Sequence, residues 1–431
     1  MDRVLYKSLC DWKKSPYRKP LILFGARQTG KTWLLKEFGS KEYKNMVYID
    51  CDNNSMIKEV FTDFDVKRII RSLSAISDIN IEKHDTLIVL DEVQEAPPAL
   101  TALKYFCENA PEYHIAVAGS LLGIAEHKGS GFPVGKVDQL RLYPLSFEEF
   151  LLAMGKDILD RYFKEHRWND YDALHDSLKD LLRQYYYTGG MPAVVKHYIK
   201  TQNVQDVRII QRNILNDYRN DFAKHIPADL LPKVNMVWDS IPSQLAKENK
   251  KFVYSAIRKG GRAKEFEGAI QWLTDAGLVH KVKRVNKVGM PLKFYEDQDA
   301  FKLFHNDLGL LGAMAQIPAQ SVLIGDRFLS EYKGAFTEQY VLQQLLSAGV
   351  NPYYYTNERS TLEIDFVIQK DKVYPIEVKA EENLRSKSLR SIVSSGDGMT
   401  GWRFSMSKYR NQDWMVNVPL YLVGEWVMSA E

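Results

Sequence analysis

One octapeptide constrains this chain more than any other part of it: Gly25-Ala26-Arg27-Gln28-Thr29-Gly30-Lys31-Thr32. It follows the short apolar run LILF, precedes the helix-compatible run WLLKEFG, and matches the pattern GxxxxGK[ST]. Glycines allow such a loop to bend so that its backbone N–H groups point at phosphate oxygens, and the start of the next helix adds the positive end of its dipole. The sequence therefore predicts a strand, a phosphate-binding loop and a helix, with all eight loop residues around a bound nucleotide.

Two side chains of this loop have predicted roles in catalysis. Lys31 is expected to reach the β- and γ-phosphates of a nucleoside triphosphate, and Thr32 to place its hydroxyl on a magnesium ion. A chance glycine-lysine turn on the surface is the alternative. A second motif stands where the first one requires it, and this favours the phosphate-binding loop.

That second motif is LIVLDE, in which an apolar strand delivers two carboxylates to the C-terminal edge of a sheet. Asp91 is expected to hold magnesium, directly or through water. Glu92 is expected to orient or deprotonate the attacking water, and so to carry hydrolysis. Taken alone, the same two residues also suit a solvated acidic turn after a buried strand.

Short apolar runs recur through the first part of the chain, at 21–24, 46–49, 87–90 and 115–118, each followed by helix-compatible sequence. This pattern is typical of a parallel sheet covered on both faces. Ser120 follows the fourth run, where its hydroxyl is placed to contact the γ-phosphate or the attacking water. It also suits the N-cap of a helix that begins at LLGIA, and the two interpretations are compatible.

Composition excludes several classes of protein. The N-terminus lacks an uninterrupted apolar signal region, and no apolar run approaches the roughly 20 residues needed to cross a bilayer, so we expect no membrane segment. Three cysteines without a CxxC spacing disfavour disulfide scaffolds and zinc sites, and favour a reducing, cytoplasmic location. The net charge of +3 is too small to indicate nucleic-acid binding, so any such binding must depend on local patches.

A basic segment at 250–284 carries one such patch. It reads as helix, a Gly-Gly turn, a second helix from about Ala263, and then an alternating strand with Lys281, Lys283 and Arg284 on or near it. This order resembles a winged helix-turn-helix, with the second helix in the major groove of DNA and the wing on phosphates. The alternative is a winged helix used as a rigid packing or protein-docking module.

Two β-like runs near the C-terminus, LEIDFV and YPIEVK, carry charges on alternate residues. Residues two apart in a strand share a face, so Glu363 and Asp365 are expected to point together, as are Glu377 and Lys379. The short connection QKDK between the runs predicts a hairpin. The charges therefore cover one face of an otherwise buried pair of strands.

This arrangement resembles the core of PD-(D/E)XK nucleases, in which a carboxylate on one strand precedes ExK on the next. The resemblance implies that Asp365 and Glu377 bind magnesium and that Lys379 positions or activates the attacking water. It also implies that Glu338, in the helix-like run GAFTEQYVLQQLL, is the acidic residue of the preceding helix. Two alternatives stay open: a cross-strand ladder of salt bridges, and a nuclease fold that keeps its charges without catalysis.

Several motifs together resemble a family of prokaryotic ATPases of the AAA-plus superfamily: GARQTGKT, LIVLDEVQ, AGSLL, LRLYPLSFEEF and the later YTGGMP. The resemblance spans nearly the whole chain. It implies ATP as the nucleotide, a helical lid, and a C-terminal domain of uncharacterised function. It also makes Arg141 a candidate arginine that senses the γ-phosphate or is supplied to a neighbouring subunit. A serine replaces the family's usual asparagine after the fourth strand, which leaves the sensor role and a ring-shaped oligomer open.

The sequence thus predicts an α/β protein built around a P-loop NTPase parallel sheet. Its expected parts are an AAA-plus ATPase domain (1–150), a helical lid (151–245), a winged-helix-like domain (246–315) and a restriction-endonuclease-like α/β domain (320–431). We expect an ATP- and Mg²⁺-dependent ATPase that acts on or with DNA and carries a metal-dependent nuclease-like domain. The alternative is a nucleotide-dependent switch with a protein client, whose C-terminal domain binds without cleaving. No guanine-reading NKxD follows the sheet, so ATP is favoured over GTP.

Overall fold

The computed structural model describes residues 1–53, 56–120, 132–247, 250–323, 330–357, 361–380, 386–396 and 398–430, with the backbone alone at 330–331. The chain divides into two compact units. We call residues 2–143 with 275–278 the N-terminal unit, and residues 144–274 with 279–431 the C-terminal unit. Each unit has its own sheet.

The N-terminal unit is built on a parallel sheet. Its strands are β1 (Leu21–Phe24), β2 (Asn45–Asp50), β3 (Thr86–Asp91), β4 (His114–Ala118) and β5 (Asp138–Arg141). Its described helices are α1 (Leu5–Lys14), α2 (Lys31–Glu42), α3 (Ile57–Val60), α4 (Val66–Ser77) and α5 (Pro97–Asn109). The strand order is β2-β3-β4-β1-β5, and all four neighbouring pairs are parallel. This is the doubly covered α/β sheet that the sequence predicts.

The four predicted strands are confirmed as β1 to β4. Every residue of β1, β3 and β4 is buried, because these strands are apolar on both faces and lie inside the sheet. The sequence pattern misses β5, whose residues DQLR alternate between partly buried and exposed positions. Among the described strands it pairs with β1 alone, and an edge strand of this polarity gives no continuous apolar signal.

The C-terminal unit combines helices with a second, mixed sheet. Its helices before the sheet are α6 (Phe147–Ala153), α7 (Asp157–Phe163), α8 (His175–Thr188), α9 (Pro192–Thr201), α10 (Val204–His225), α11 (Leu231–Leu245) and α12 (Ala263–Asp275). Its later described helices are α13 (Leu308–Met314), α14 (Ala319–Leu323), α15 (Ser330–Ser347), α16 (Lys387–Ser395) and α17 (Val423–Ser429). Its strands are β6 (Val279–Val285), β7 (Glu296–His305), β8 (Tyr353–Thr356), β9 (Glu363–Gln369), β10 (Val373–Lys379), β11 (Gly401–Ser405), β12 (Arg410–Asn411) and β13 (Met415–Pro419).

The helical character predicted after residue 150 is confirmed by α6 to α11. Helix α6 begins with a capping box, in which Ser146 Oγ accepts from the N–H of Glu149 at 3.2 Å and Glu149 Oε2 accepts from the N–H of Ser146 at 3.0 Å. This exchange satisfies two backbone donors that a helix start leaves without intrahelical partners.

The glycine pair of YTGGMP allows two close backbone approaches. Gly189 has φ +67°, and a Cβ on it would lie 2.3 Å from Asp307 Oδ1. A Cβ on Gly190 would lie 2.1 Å from the carbonyl oxygen of Leu145. The N–H of Gly190 donates to Asp307 Oδ2 at 2.6 Å. Only glycine fits here, because a side chain would enter space that backbone and carboxylate atoms already fill.

The second sheet runs in the order β12-β13-β11-β10-β9-β8-β6-β7. The predicted hairpin is confirmed, since β9 and β10 pair in antiparallel fashion with Phe366 opposite Ile376. Strands β6 and β7 form a second hairpin and join the sheet through the parallel pair β6–β8. One sheet therefore includes strands from both the predicted winged-helix-like part and the predicted nuclease-like part. The division into four domains stays a prediction.

Candidate nucleotide-binding site and carboxylate cluster

The phosphate-binding loop connects β1 to α2 as predicted. Its turns use left-handed or glycine-only backbone conformations at Gly25 (φ +153°), Gln28 (φ +66°) and Gly30 (φ +96°). A Cβ on Gly25 would lie 2.4 Å from the carbonyl oxygen of Leu142. Thr29 Oγ1 donates to the carbonyl of Ala26 at 2.8 Å and closes the loop on itself. The loop therefore has the strand–turn–helix setting that phosphate binding requires.

Lys31 is buried at the first position of α2. Its ammonium donates to the carbonyl oxygens of Gly25 and Ala26, both at 2.8 Å. Burial lowers the pKa of Lys31 to about 8, although the carboxylates of Glu92 and Asp91 act in the opposite direction. The two carbonyl oxygens carry only partial negative charge. A bound phosphate group would give the Lys31 ammonium a fully charged acceptor.

Thr32 and Asp91 lie side by side. Thr32 Oγ1 donates to Asp91 Oδ2 at 2.6 Å, and the hydroxyl of Tyr48 donates to the same oxygen at 3.0 Å. Asp91 ends β3 and is buried, so its carboxylate is held in one position. A hydroxyl beside a carboxylate is a set of hard oxygen donors, and this set fits Mg²⁺.

Glu92 follows Asp91 in the left-handed region, with φ +48°. Its Oε2 accepts from Gln94 Nε2 at 2.6 Å, from Ser120 Oγ at 3.2 Å and from the N–H of Ser120 at 3.3 Å. The structure thus brings together the predicted catalytic carboxylate and the predicted polar residue after β4. The alternative role of Ser120 as a helix N-cap concerns residues 121–131, which lie outside the described residues.

Arg141 ends β5, directly beside the end of β1. Phe24 is its partner in the parallel register, and the guanidinium lies 5.5 Å from the centroid of the Phe24 ring. The position is at the same edge of the sheet as the phosphate-binding loop. The role of Arg141 as a sensor or as an arginine supplied to a neighbour stays a prediction.

Arg3 also belongs to this site, although no sequence motif predicts it. Its guanidinium is buried and donates to the carbonyl of Thr29 at 2.8 Å and to that of Tyr143 at 2.6 Å. It therefore ties the N-terminal segment to the phosphate-binding loop. A single arginine near the N-terminus carries no pattern from which this contact can be predicted.

The predicted basic wing is largely neutralised within its own hairpin. Helix α12 begins at Ala263, as expected, and β6–β7 follow it. However, Lys283 forms an ion pair with Glu296, and Arg284 Nε donates to Asp297 Oδ2 at 2.9 Å. These pairs reduce the charge available for DNA phosphates. They favour the alternative interpretation of this segment as a rigid module.

The four residues predicted for the nuclease-like site come together on one face of the second sheet. Lys379 Nζ lies 2.9 Å from Glu377 Oε1 on β10, and Asp365 Oδ2 on β9 accepts from the N–H of Val378 at 2.8 Å. Burial, followed by the nearby charge of Glu338 on α15, raises the pKa of Asp365 well above its usual range. We call Glu338, Glu363, Asp365 and Glu377 the carboxylate cluster.

Two lysines that no sequence motif predicts lie in this cluster. Lys302 on β7 is completely buried, and its ammonium lies 2.6 Å from Glu363 Oε1 and 3.3 Å from Glu338 Oε2. Lys250 forms a second ion pair with Glu338. Burial opposes ionisation of Glu338, but the two ammonium groups outweigh it and hold the pKa of this carboxyl below its usual value. The available signal was a lysine inside the otherwise apolar run AFKLF.

Lysines compensate much of the negative charge of the carboxylate cluster. Glu338 is neutralised by Lys250 and Lys302, and one oxygen of Glu377 by Lys379. Within the described part of the chain, the carboxylates of Glu338, Asp365 and Glu377 do not form a trio whose ligand oxygens lie within 4.8 Å of one another. Glu338 and Glu377 therefore face lysine ammonium groups, and the binding of magnesium by Glu338, Asp365 and Glu377 stays a prediction.

Another trio of carboxylates does meet that spacing. Glu148, Asp160 and Glu425 place ligand oxygens within 4.8 Å of one another. Lys164 lies among them, 2.7 Å from Glu148 Oε1 and 2.8 Å from Asp160 Oδ2. Here again an ammonium group supplies the compensating charge.

Three segments of the chain match known sequence families. Residues 17–151 match the family described as AAA domain. The matched segment contains the phosphate-binding loop, the acidic pair and Arg141, so the N-terminal unit is similar in sequence to AAA-type P-loop ATPases. Residues 179–321 match a domain of unknown function (DUF8612), and residues 333–420 match another (DUF4143). None of the curated proteins matches the chain.

Several solved structures are similar to much of the chain at low identity. The Walker-type ATPase PABY2304 of Pyrococcus abyssi is 13% identical, with 73% of this chain and 95% of that chain covered and a TM-score of 0.47. The Orc1 protein of Aeropyrum pernix, solved in complex with DNA, is 15% identical, with 74% of this chain and 91% of that chain covered and a TM-score of 0.28. AMPPCP-bound DnaA from Aquifex aeolicus is 14% identical, with 63% of this chain and 86% of that chain covered and a TM-score of 0.29. Among the described residues, no helix is long and apolar enough to span a bilayer.

Proposed function

We propose that the protein binds and hydrolyses Mg²⁺-ATP and that its C-terminal unit binds nucleic acid without cleaving it. The observation that carries the first part is the contact between Thr32 and Asp91 at 2.6 Å, with the Glu92 carboxylate on the next residue. A hydroxyl at the end of a phosphate-binding loop and two carboxylates at the end of β3 are parts that phosphoryl transfer to water requires.

Each residue of the site has a distinct proposed role. Lys31 binds the β- and γ-phosphates and balances charge that develops on them. Thr32 and Asp91 hold the magnesium ion, which neutralises phosphate charge when bound. Glu92 orients the attacking water and accepts its proton, and Ser120 and Gln94 fix the orientation of its carboxylate. Arg141 is proposed to contact the nucleotide of the same or a neighbouring subunit.

The choice of nucleic acid as client is supported by the charges of the C-terminal unit, and a protein client is the alternative. The C-terminal unit places lysine and arginine side chains on the same sheet face as the carboxylate cluster. The neutralised wing favours the protein-docking alternative for α12 to β7. A switch that couples the ATP state to binding by the C-terminal unit accommodates both clients.

Binding without cleavage is proposed because the carboxylate cluster already contains its cations. A metal-dependent nuclease needs carboxylates free to take a divalent cation. In this cluster, Lys302 and Lys250 already supply the positive charge that faces Glu338. Cleavage would require these ammonium groups to leave the cluster, at the cost of exposing buried carboxylates to one another.

The first test measures phosphate release from Mg²⁺-ATP by the full chain, with and without single-stranded or duplex DNA. Lys31→Ala is expected to abolish nucleotide binding, and Glu92→Gln to retain binding while losing hydrolysis by at least about 100-fold. The exposed residues Lys58 and Glu59 offer matched control variants, Lys58→Ala and Glu59→Gln. Nucleotide binding without hydrolysis by the wild type would contradict the catalytic role of Glu92.

The second test incubates labelled DNA with the protein and Mg²⁺ or Mn²⁺. We expect binding and no cleavage products. Cleavage that disappears in Asp365→Asn and in Lys379→Ala would overturn this part of the proposal and establish a nuclease. A protein that binds no DNA at low salt, yet hydrolyses ATP, would instead favour the protein client.

A further inference from the structure

A cavity of about 420 Å³ in the C-terminal unit is lined mainly by cationic and polar side chains. Its lining residues include Lys179, Arg403, Lys408, Tyr409, Arg410 and Asn417. Four of these side chains are cationic, and the lining contains one carboxylate, that of Asp176. The cavity is thus positively charged, and its volume is in the range of small-ligand sites, about 300–1,000 Å³.

The floor of the cavity is rigid. Arg403 on β11 is 1% exposed, and its Nε donates to Asn417 Oδ1 on β13 at 2.8 Å. Asn417 also accepts from Ser405 Oγ at 2.7 Å and donates through Nδ2 to the carbonyl of Lys408 at 2.8 Å. A buried guanidinium held by such a network is presented in one orientation, and a planar guanidinium suits the oxygens of a phosphate group.

The rim of the cavity is more exposed to solvent than its floor. Arg410 on β12 is exposed, and no ion pair of its side chain is observed among the described residues. The Lys408 side chain is 51% exposed, at 3.5 Å from Asp172 Oδ2, a distance and exposure at which an ion pair contributes little. Lys179 is paired at 2.9 Å with Asp176, whose side chain is 92% exposed and therefore well screened. Lys408 and Arg410 are thus available to a ligand.

The cavity adjoins the carboxylate cluster on the same face of the sheet. Glu377 on β10 is the register partner of Arg403 on β11, and Arg403 is the partner of Asn417 on β13. Cross-strand partners point to one face, so acidic and basic side chains form one continuous polar band across these strands. Glu377 balances part of the charge of Arg403 from one side, while Arg410 adds positive charge from the other.

We propose that this cavity binds a phosphodiester group of the nucleic-acid backbone, with Arg403 at its floor and Lys408 and Arg410 at its rim. The inference rests on the nucleic-acid binding proposed above and names the surface that performs it. Lys179 supplies a fourth positive charge. Binding is independent of base sequence, since the contacts are made to phosphate.

The test measures binding of fluorescein-labelled 20-nucleotide DNA, single-stranded and duplex, to the full chain by anisotropy across a salt series. The double variant Lys408→Ala/Arg410→Ala changes two exposed residues, so the fold is retained. We expect binding at least about tenfold weaker, and a slope of log affinity against log salt that is smaller by about 1.5, because each lost phosphate contact removes about 0.7–0.9. Lys200→Ala, at an exposed position of α9, is the matched control.

The outcomes separate this inference from the proposal on which it rests. Wild-type protein that binds no DNA at low salt overturns both. DNA binding that the double variant retains with an unchanged salt slope overturns the cavity alone. A double variant that loses binding of inorganic phosphate or a mononucleotide while keeping DNA affinity also overturns it, because the cavity would then bind free phosphate ligands. Parallel loss of DNA affinity and salt slope, with intact ATP hydrolysis, supports it.

Discussion

The Lys302 ammonium lies 2.6 Å from a Glu363 carboxylate oxygen, and Lys302 is completely buried. This contact joins β7 to β9, two strands of the second sheet that are not neighbours. Glu338 contributes a second carboxylate at 3.3 Å from the same ammonium. A buried charge in this position is stable only while its partners remain ionised around it, so the three residues behave as one unit.

We predict that Lys302→Met destabilises the C-terminal unit strongly. Methionine keeps most of the volume but leaves Glu338 and Glu363 without their shared ammonium. Removal of one partner from a buried ion pair typically costs about 3–5 kcal/mol. Thermal unfolding followed by circular dichroism should show a lower midpoint. Adding Glu338→Gln should recover part of the loss, and the exposed Lys372→Met is the control. An unchanged midpoint in Lys302→Met would argue against the ion cluster.

Thr32→Val is predicted to reduce the magnesium dependence of nucleotide binding. Valine has the shape of threonine without the hydroxyl that contacts Asp91. Affinity for a fluorescent ATP analogue should fall at least about tenfold with Mg²⁺ present and change little in EDTA, since one metal ligand is lost. Thr62→Val, at an exposed position, serves as the control. Equal losses in both buffers would indicate a damaged loop rather than a lost metal ligand.

Ser120→Ala is predicted to slow hydrolysis without weakening ATP binding. The Ser120 hydroxyl donates to Glu92 Oε2 at 3.2 Å, so its loss frees a carboxylate that must point at the attacking water. We expect kcat to fall by about tenfold with KM nearly unchanged, the behaviour of a residue that acts through the catalytic group. Steady-state phosphate release measures both. A change confined to KM would assign Ser120 to nucleotide binding instead.

Glu425 provides a pH prediction. Burial, with the carboxylates of Glu148 and Asp160 nearby, raises the pKa of Glu425 to about 7 despite Lys164. The folded state therefore binds a proton that the unfolded state releases between about pH 4.5 and 7. The resulting stability is complete below that range and is lost as the pH rises through it. Glu425→Gln should flatten this dependence.

The measurement compares unfolding midpoints of wild type and Glu425→Gln from pH 4 to 8. The two should coincide near pH 4, and the variant should be more stable at pH 8. The difference is expected to be about 1–2 kcal/mol, because partial contact with water screens the full effect of the shift. Parallel curves across the range would show that Glu425 titrates alike in the folded and unfolded states.

Two glycine substitutions in the C-terminal unit should act in opposite directions. Gly190→Ala places a Cβ 2.1 Å from the Leu145 carbonyl oxygen, and we expect a loss of about 1–3 kcal/mol from overpacking. Gly268→Ala in α12 meets only Leu230 Cδ1 at 3.7 Å, and we expect a gain of about 0.5–1 kcal/mol from helix propensity. Thermal unfolding midpoints of both variants distinguish the two cases. If only Gly190→Ala lowers the midpoint, the loss comes from the close approach at YTGGMP and not from the loss of a glycine in general.

The sequence alone determined the nucleotide site and the local elements around it. The loop at 25–32 and the pair Asp91–Glu92 were predictable because phosphate chemistry imposes fixed residue types at fixed spacing on one strand–turn–helix unit. The strands β1 to β4 and the β9–β10 hairpin followed from apolar runs and alternation, which reflect the period of the backbone itself. Helix α15, with Glu338 on its buried side, was predictable for the same reason.

Which charged side chains meet depends on the tertiary structure. Lys302 lies 36 positions from Glu338, and Lys250 lies 88 positions from it. Neither spacing is encoded by a motif. The edge strand β5, the Arg3 contact with the phosphate-binding loop and the cationic cavity also join segments distant along the chain. Local patterns fix the backbone period and the side chains presented, whereas the partner of a buried charge depends on which strands and helices the folded chain places side by side.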